Sequence, residues 1–158
     1  MINFIAIATM AVTLTASTPK APQWEQSYGK ALEATRAGQD PLLVVLDKPN
    51  SDDARLEPAL LSEDKTEGDT SKLLSPYRLC HVDVSTEYGQ KVAKAFHVKT
   101  FPHVAIIDKT GSVVIYKKSG QINENEWKQM LKSHKSGERP TTASSEKPFC
   151  PNCQRSQF

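Results

Sequence analysis

A proline wedged between a polar link and an apolar strand is the feature that most narrows the folds open to this chain. Residues 98–108 read Val-Lys-Thr-Phe-Pro-His-Val-Ala-Ile-Ile-Asp, with Pro102 just ahead of the run from Val104 to Ile107. Proline has no N–H to give to a ladder, so it is accepted at the first residue of a strand and not in the middle. X-Pro is also the common setting for a cis peptide bond, usually at a fixed tight turn. Phe101-Pro102 is therefore a candidate for one. Asp108-Lys109-Thr110-Gly111 predicts a turn into a second strand, Ser112-Val113-Val114-Ile115-Tyr116.

The rest of the chain supplies alternating helices and strands. From Gln23 onward, Trp24, Tyr28, Ala31, Leu32 and Thr35 recur at three- and four-residue spacing, which predicts a helix stopped by Gly38. Pro41-Leu42-Leu43-Val44-Val45-Leu46-Asp47 is a continuous apolar run that fits a strand buried on both faces. Asp52 and Asp53 are placed to open a helix through Leu56, Leu60 and Leu61, kinked or shortened by Pro58. Residues 62–72 read as a polar loop and Leu73-Leu74 as a short helical turn. Residues 77–84 alternate as a strand, with Tyr77, Leu79, His81 and Asp83 on one face and Arg78, Cys80, Val82 and Val84 on the other. Ser85 or Thr86 caps a helix carrying Tyr88, Val92, Ala95 and Phe96, and Asn123 with Glu126 forms a capping box for a last helix carrying Trp127, Met130, Leu131 and His134. Strands that alternate with helices and end in a hairpin predict an α/β fold of three layers, a mixed central sheet with helices on both faces.

A chain of 158 residues holds one domain with some length left for tails. Its 20 basic and 18 acidic residues are interspersed, which argues against a nucleic-acid groove or a membrane-binding face. Residues 2–16 are uncharged and mostly apolar and precede Ser17, as in a secretory signal peptide covering 1–17, although the segment lacks a lysine or arginine at its start. The reading is export to a periplasmic or extracellular location. No cysteine stands near the cleavage point, so no lipid anchor and no stable membrane attachment is expected after cleavage. The folded domain spans 23–135. Residues 136–147 are Ser, Thr, Pro and charge without periodicity, and a flexible tail over 136–158 carries Cys150-Pro151-Asn152-Cys153.

Between residues 23 and 135 the chain resembles the thioredoxin-like superfamily. The features that carry the likeness are the strand over 41–47, the strand ending Val82-Asp83-Val84, the proline loop from Phe96 to His103, and the hairpin with Gly111 and Gly120. The resemblance implies a redox dithiol, Cys-x-x-Cys after a tryptophan, just beyond the strand over 41–47. Aligned without gaps, Ser51-Asp52-Asp53-Ala54 replace that motif and Asn50 replaces the tryptophan; shifted by one residue, the match falls on residues 50–53. Neither register contains a cysteine. The buried acid that assists proton transfer in many members is also missing, because Val45 stands at its place. Disulfide exchange needs a thiolate with a lowered pKa and a second thiol to resolve the mixed disulfide. A serine alcohol cannot form that intermediate, and the two aspartates would repel a thiolate.

Other residues carry chemical potential of their own. Cys80 alternates onto an apolar face, where a free cysteine behaves as a small hydrophobe. Cys150 and Cys153 are open to three readings: a dithiol that cycles with a partner, half of a thiolate zinc site completed by another chain or by His134, or an idle pair on a tail. Asp52, Asp53 and Glu57 read as a solvated helix start rather than a metal site, and Ser51 has no positioned base. His81, His97, His103 and His134 read as half-buried packing residues. The resemblance further implies that the backbone at Thr100, Phe101 and Pro102 can pair with an extended peptide. The expectation is an exported thioredoxin-fold protein without the usual dithiol, a binding or accessory module for a protein or peptide, with no cofactor. The alternative is a thiol–disulfide oxidoreductase working through Cys150 and Cys153. The sequence sets no oligomeric state.

Overall fold

The apolar run that begins at Leu42 becomes the central strand, with neighbours on both sides. In the computed structural model, which describes residues 23–61 and 70–139, ten elements follow in order: β1 (Trp24–Glu25), α1 (Tyr28–Gly38), β2 (Leu42–Asp47), α2 (Pro58–Leu61), α3 (Thr70–Leu74), β3 (Arg78–Asp83), α4 (Glu87–Ala95), β4 (His103–Ile107), β5 (Val114–Ser119) and α5 (Glu124–His134). The strands form one sheet in the order β1-β3-β2-β4-β5. β1 and β2 run parallel to β3, whereas β2–β4 and β4–β5 are antiparallel. Residues 1–17, expected from the sequence as a signal peptide, and the tail with Cys150 and Cys153 lie outside the described residues.

Period-two alternation sorts the sheet's side chains into two cores. Leu43, Val45, Leu79, Val104 and Ile106 face one way and pack under Leu60, Leu74 and Trp127 from α2, α3 and α5. Leu42, Val44, Leu46, Cys80, Val82 and Ala105 face the other way, onto Ala31 of α1 and Val92 and Ala93 of α4. Helices on both faces are why β2 has no polar face to alternate with.

β5 runs Val114–Ser119 rather than over 112–116, and α3 starts at Thr70, inside the stretch expected as a loop. Four further expectations change. Trp24 is not helical; it pairs with Leu79 in β1, its indole N–H donates to the Leu61 carbonyl, and α1 begins only at Tyr28. Trp24 and Tyr28 mimic a helical repeat because they serve opposite cores, one from a strand and one from a helix. α1 ends through Gln39, the residue in the left-handed region at φ 58°, while Gly38 is the last helical residue and lies beside the half-exposed Arg78–Asp40 ion pair. Asp52 and Asp53 do not open a helix. Residues 48–57 turn back on themselves, and α2 starts at Pro58, where a missing N–H costs nothing. In α4, capped by Thr86, Tyr88 and Ala95 are exposed, and Gly89 and Ala93 take the buried places. α5 carries the capping box of Asn123 and Glu126.

Candidate functional site

β2, β3 and β4 bring three chain segments to one end of the sheet. The C-terminal ends of the parallel strands β2 and β3 meet there, and Leu46 is paired with His103 at the start of β4. Open α/β sheets place ligands at this end because the loops diverge beyond the last ladder bonds.

On the α4 side the segments enclose a cavity of about 590 Å³. Val84, Ala93, Val98 and Phe101 give it an apolar lining, and Lys48, Lys94 and Lys99 border it. His97, at φ 56°, lets the chain leave α4 and turn toward the proline. The Phe101-Pro102 peptide bond is cis, and the Pro102 carbonyl accepts the Gly120 N–H at 2.8 Å. Thr100 is exposed and Phe101 half-buried, and neither makes a main-chain hydrogen bond to another described residue. Their N–H and C=O groups lie next to the cavity with their pairing capacity unused.

The segment after β2 is held by its own turns. The Lys48 N–H donates to Ala54, Ser51 to Lys48 and Ala54 to Ser51, each at 3.0 Å. Gln121 donates its side-chain amide to the carbonyls of Asp53 and Arg55, which ties this loop to the link after β5. Ser51 and Ala54 are half-buried, and Asp52 and Asp53 are exposed, with Asp52 paired to Arg55 at 3.3 Å. The Ser51 hydroxyl has no hydrogen-bond partner among the described residues. Among the described residues no group of three or more His, Cys, Asp and Glu side chains gathers to hold a metal, and no helix is long and apolar enough to cross a membrane.

Cys80 lies in β3 with no exposed surface, facing α1 and α4. Burial, aided by the Glu25 charge, pushes its thiol up to about 12. A thiol so protonated does not attack disulfides at neutral pH.

One arrangement escaped the sequence reading. The acid sought at Val45 is absent there, but a buried carboxylate stands two residues further along the same face, at Asp47. Its Oδ2 accepts the Leu56 N–H at 3.0 Å and its Oδ1 pairs with His81 Nε2 at 2.8 Å, while the Trp24 ring meets His81 edge-on at 6.0 Å. The signal was available: Asp47 keeps the parity of Leu43 and Val45, and His81 keeps that of Leu79. His103 is buried too, its Nδ1 against Ser119 Oγ at 2.8 Å, and burial with the nearby Lys117 lowers its pKa.

No protein-family model matches the chain, and no curated protein matches it in sequence. Solved structures do match. A thioredoxin from Thermus thermophilus superposes with a TM-score of 0.57 at 18% identity, over 72% of this chain and 86% of that one. Thioredoxin O2 from Arabidopsis thaliana, in its oxidized state, gives 0.55 at 13% identity over 75% and 97%. A thioredoxin variant from Halobacterium salinarum gives 0.54 at 17% identity over 76% and 96%. The fold is thioredoxin-like. At these identities the likeness is one of backbone, and it says nothing of which side chains are kept. On this thioredoxin-like frame the segment after β2 carries hydroxyl, carboxylate and methyl groups, and Cys80 lies in the opposite core from Asp47.

Proposed function

We propose that this protein is an exported binding or accessory module that takes an extended peptide along Thr100 and Phe101 and does not exchange disulfides at the usual place. The observation that carries the reading is the unpaired main chain at exposed Thr100 and half-buried Phe101, beside a cavity with an apolar lining. Backbone groups in that state add a short extended segment by the same bonds that build a sheet, and the neighbouring pocket receives a side chain. The missing chemistry supports the reading from the other side, because residues 48–57 contain no sulfur and Cys80 is buried and protonated. The apolar run over residues 2–16 supports export.

An insulin-reduction assay on the full chain and on Cys150→Ser separates this reading from its enzymatic alternative. The expected result is no turnover by either protein. Turnover by the wild type that disappears in Cys150→Ser would replace the binding module with an oxidoreductase acting through Cys150 and Cys153.

A further inference from the structure

We infer that the occupant of the cavity is an extended peptide of a protein partner that carries an acidic side chain next to an apolar one. This rests on the peptide-binding reading above and adds the chemistry of the ligand to it.

Three cationic side chains at the cavity have no counterpart among the described residues. Lys48 comes from the end of β2, Lys94 from α4 and Lys99 from the link to β4, and all three border the same cavity. No aspartate or glutamate lines it. Elsewhere on the surface four lysines are ion-paired, Lys91 with Glu87, Lys109 with Glu138, Lys118 with Glu126 and Lys128 with Glu124, while others such as Lys30 and Lys132 are not. What sets the cavity lysines apart is that three of them border one cavity that no carboxylate lines. Among the described residues none of the cavity lysines has an ion-pair partner, and Lys48 lies over the Phe101 ring, 5.6 Å from its centre. A chain with a formal net charge of only +2 does not produce such a cluster through general basicity. Grouped cations repel one another, and a cleft with apolar walls concentrates their field on whatever enters. A carboxylate there relieves the repulsion.

The second half of the ligand follows from the lining. Val84, Ala93, Val98 and Phe101 form an apolar surface large enough for one aliphatic or aromatic side chain. The free N–H and C=O groups of Thr100 and Phe101 ask for a main chain rather than a compact small anion. Ladder pairing sends successive side chains to opposite sides. An apolar residue pointing inward therefore has acidic neighbours that reach outward to the lysine rim. A nucleic acid fits less well, because the basic residues ring one cavity and form no stripe along a backbone path.

Fluorescence anisotropy tests this with blocked, dye-labelled peptides in which Leu alternates with Glu, with Gln or with Lys, titrated with the full chain. At low salt the Glu peptide is expected to bind about tenfold tighter than the Gln peptide, as a few exposed charge contacts allow. The gap narrows in high salt. In the Lys48→Gln/Lys94→Gln/Lys99→Gln variant, checked by circular dichroism for an unchanged fold, the two peptides bind alike. Equal wild-type affinity for the Glu and Gln peptides overturns the acidic assignment and leaves the peptide groove standing. Binding of none of the probes overturns both. A preference that survives in the triple variant removes these lysines from the site. Displacement of the Glu peptide by a single-stranded oligonucleotide as readily as by unlabelled peptide, at matched charge, also overturns the assignment.

Discussion

The Cys80 thiol lies in the middle layer beneath α1 and α4, where burial and the Glu25 charge push its pKa up to about 12. In a Cys150→Ser/Cys153→Ser background, which leaves it as the sole thiol, it should react with a disulfide reagent only as fast as the protein unfolds. Denaturant should restore ordinary rates. Asp47 carries a different load, accepting the Leu56 N–H and holding His81. Asp47→Ala leaves a buried donor unpaired and is expected to cost about 1–3 kcal/mol in chemical denaturation. Thr35 runs the opposite way, for its hydroxyl is fully buried with no hydrogen-bond partner. Thr35→Val removes that unmet group at nearly constant volume and should raise stability by about 1 kcal/mol. Residues such as Asp47 are hard to read from sequence because a charged residue closing an apolar run looks like the start of a loop. Only the fold reveals that its face continues beneath a covering segment.

Among the elements, legibility followed the strength of the repeat. β2, β3 and β4 were readable because each is a run of apolar or alternating residues whose burial both cores demand. α5 was readable because Asn123 and Glu126 mark its start by side-chain chemistry. β1 was not, since a two-residue strand has no period and Trp24 fell into apparent step with Tyr28. The α4 stripe was misread at Gly89, which no hydrophobicity pattern flags as buried. Gly89 is there for close approach: an added Cβ would sit 2.0 Å from the Asp83 carbonyl oxygen. Gly89→Ala must therefore push α4 away from β3, and a loss of about 3 kcal/mol or more is expected by thermal or chemical unfolding. The absence of a cysteine from residues 48–57 is plain in the sequence, whereas the lysine rim is not. Its members are 46 and 5 positions apart along the chain (from Lys48 to Lys94, and from Lys94 to Lys99).

For the molecule as a whole, two buried groups set the response to acid. Burial alone would raise the Asp108 pKa, but hydrogen bonds from the Ser112 and Val113 N–H groups, Thr110 and Arg139 outweigh it and hold the carboxyl well below the usual range. A carboxylate depressed on folding gives stability that is complete above its unfolded value, about 3.9, and is lost as pH falls toward the folded value. His103 is also depressed, by burial and Lys117. It stays neutral in the fold while the unfolded chain takes up a proton, so its contribution fades as pH drops below about 6.5. Denaturation midpoints should thus decline in two acid stages. His103→Gln should flatten the upper stage and Asp108→Asn the lower, at some cost in stability at neutral pH.

Lys48, Lys94 and Lys99 are neighbours only once β2, α4 and the link to β4 have come together. An unfolded chain presents them far apart and cannot grip one short acidic segment with all of them. In the proposed reading, partner binding is coupled to folding: saturating the site at a hundred times its dissociation constant would hold the native state by about 2.7 kcal/mol. The melting temperature should climb with ligand concentration, and in an export setting the client would help keep its own receptor intact.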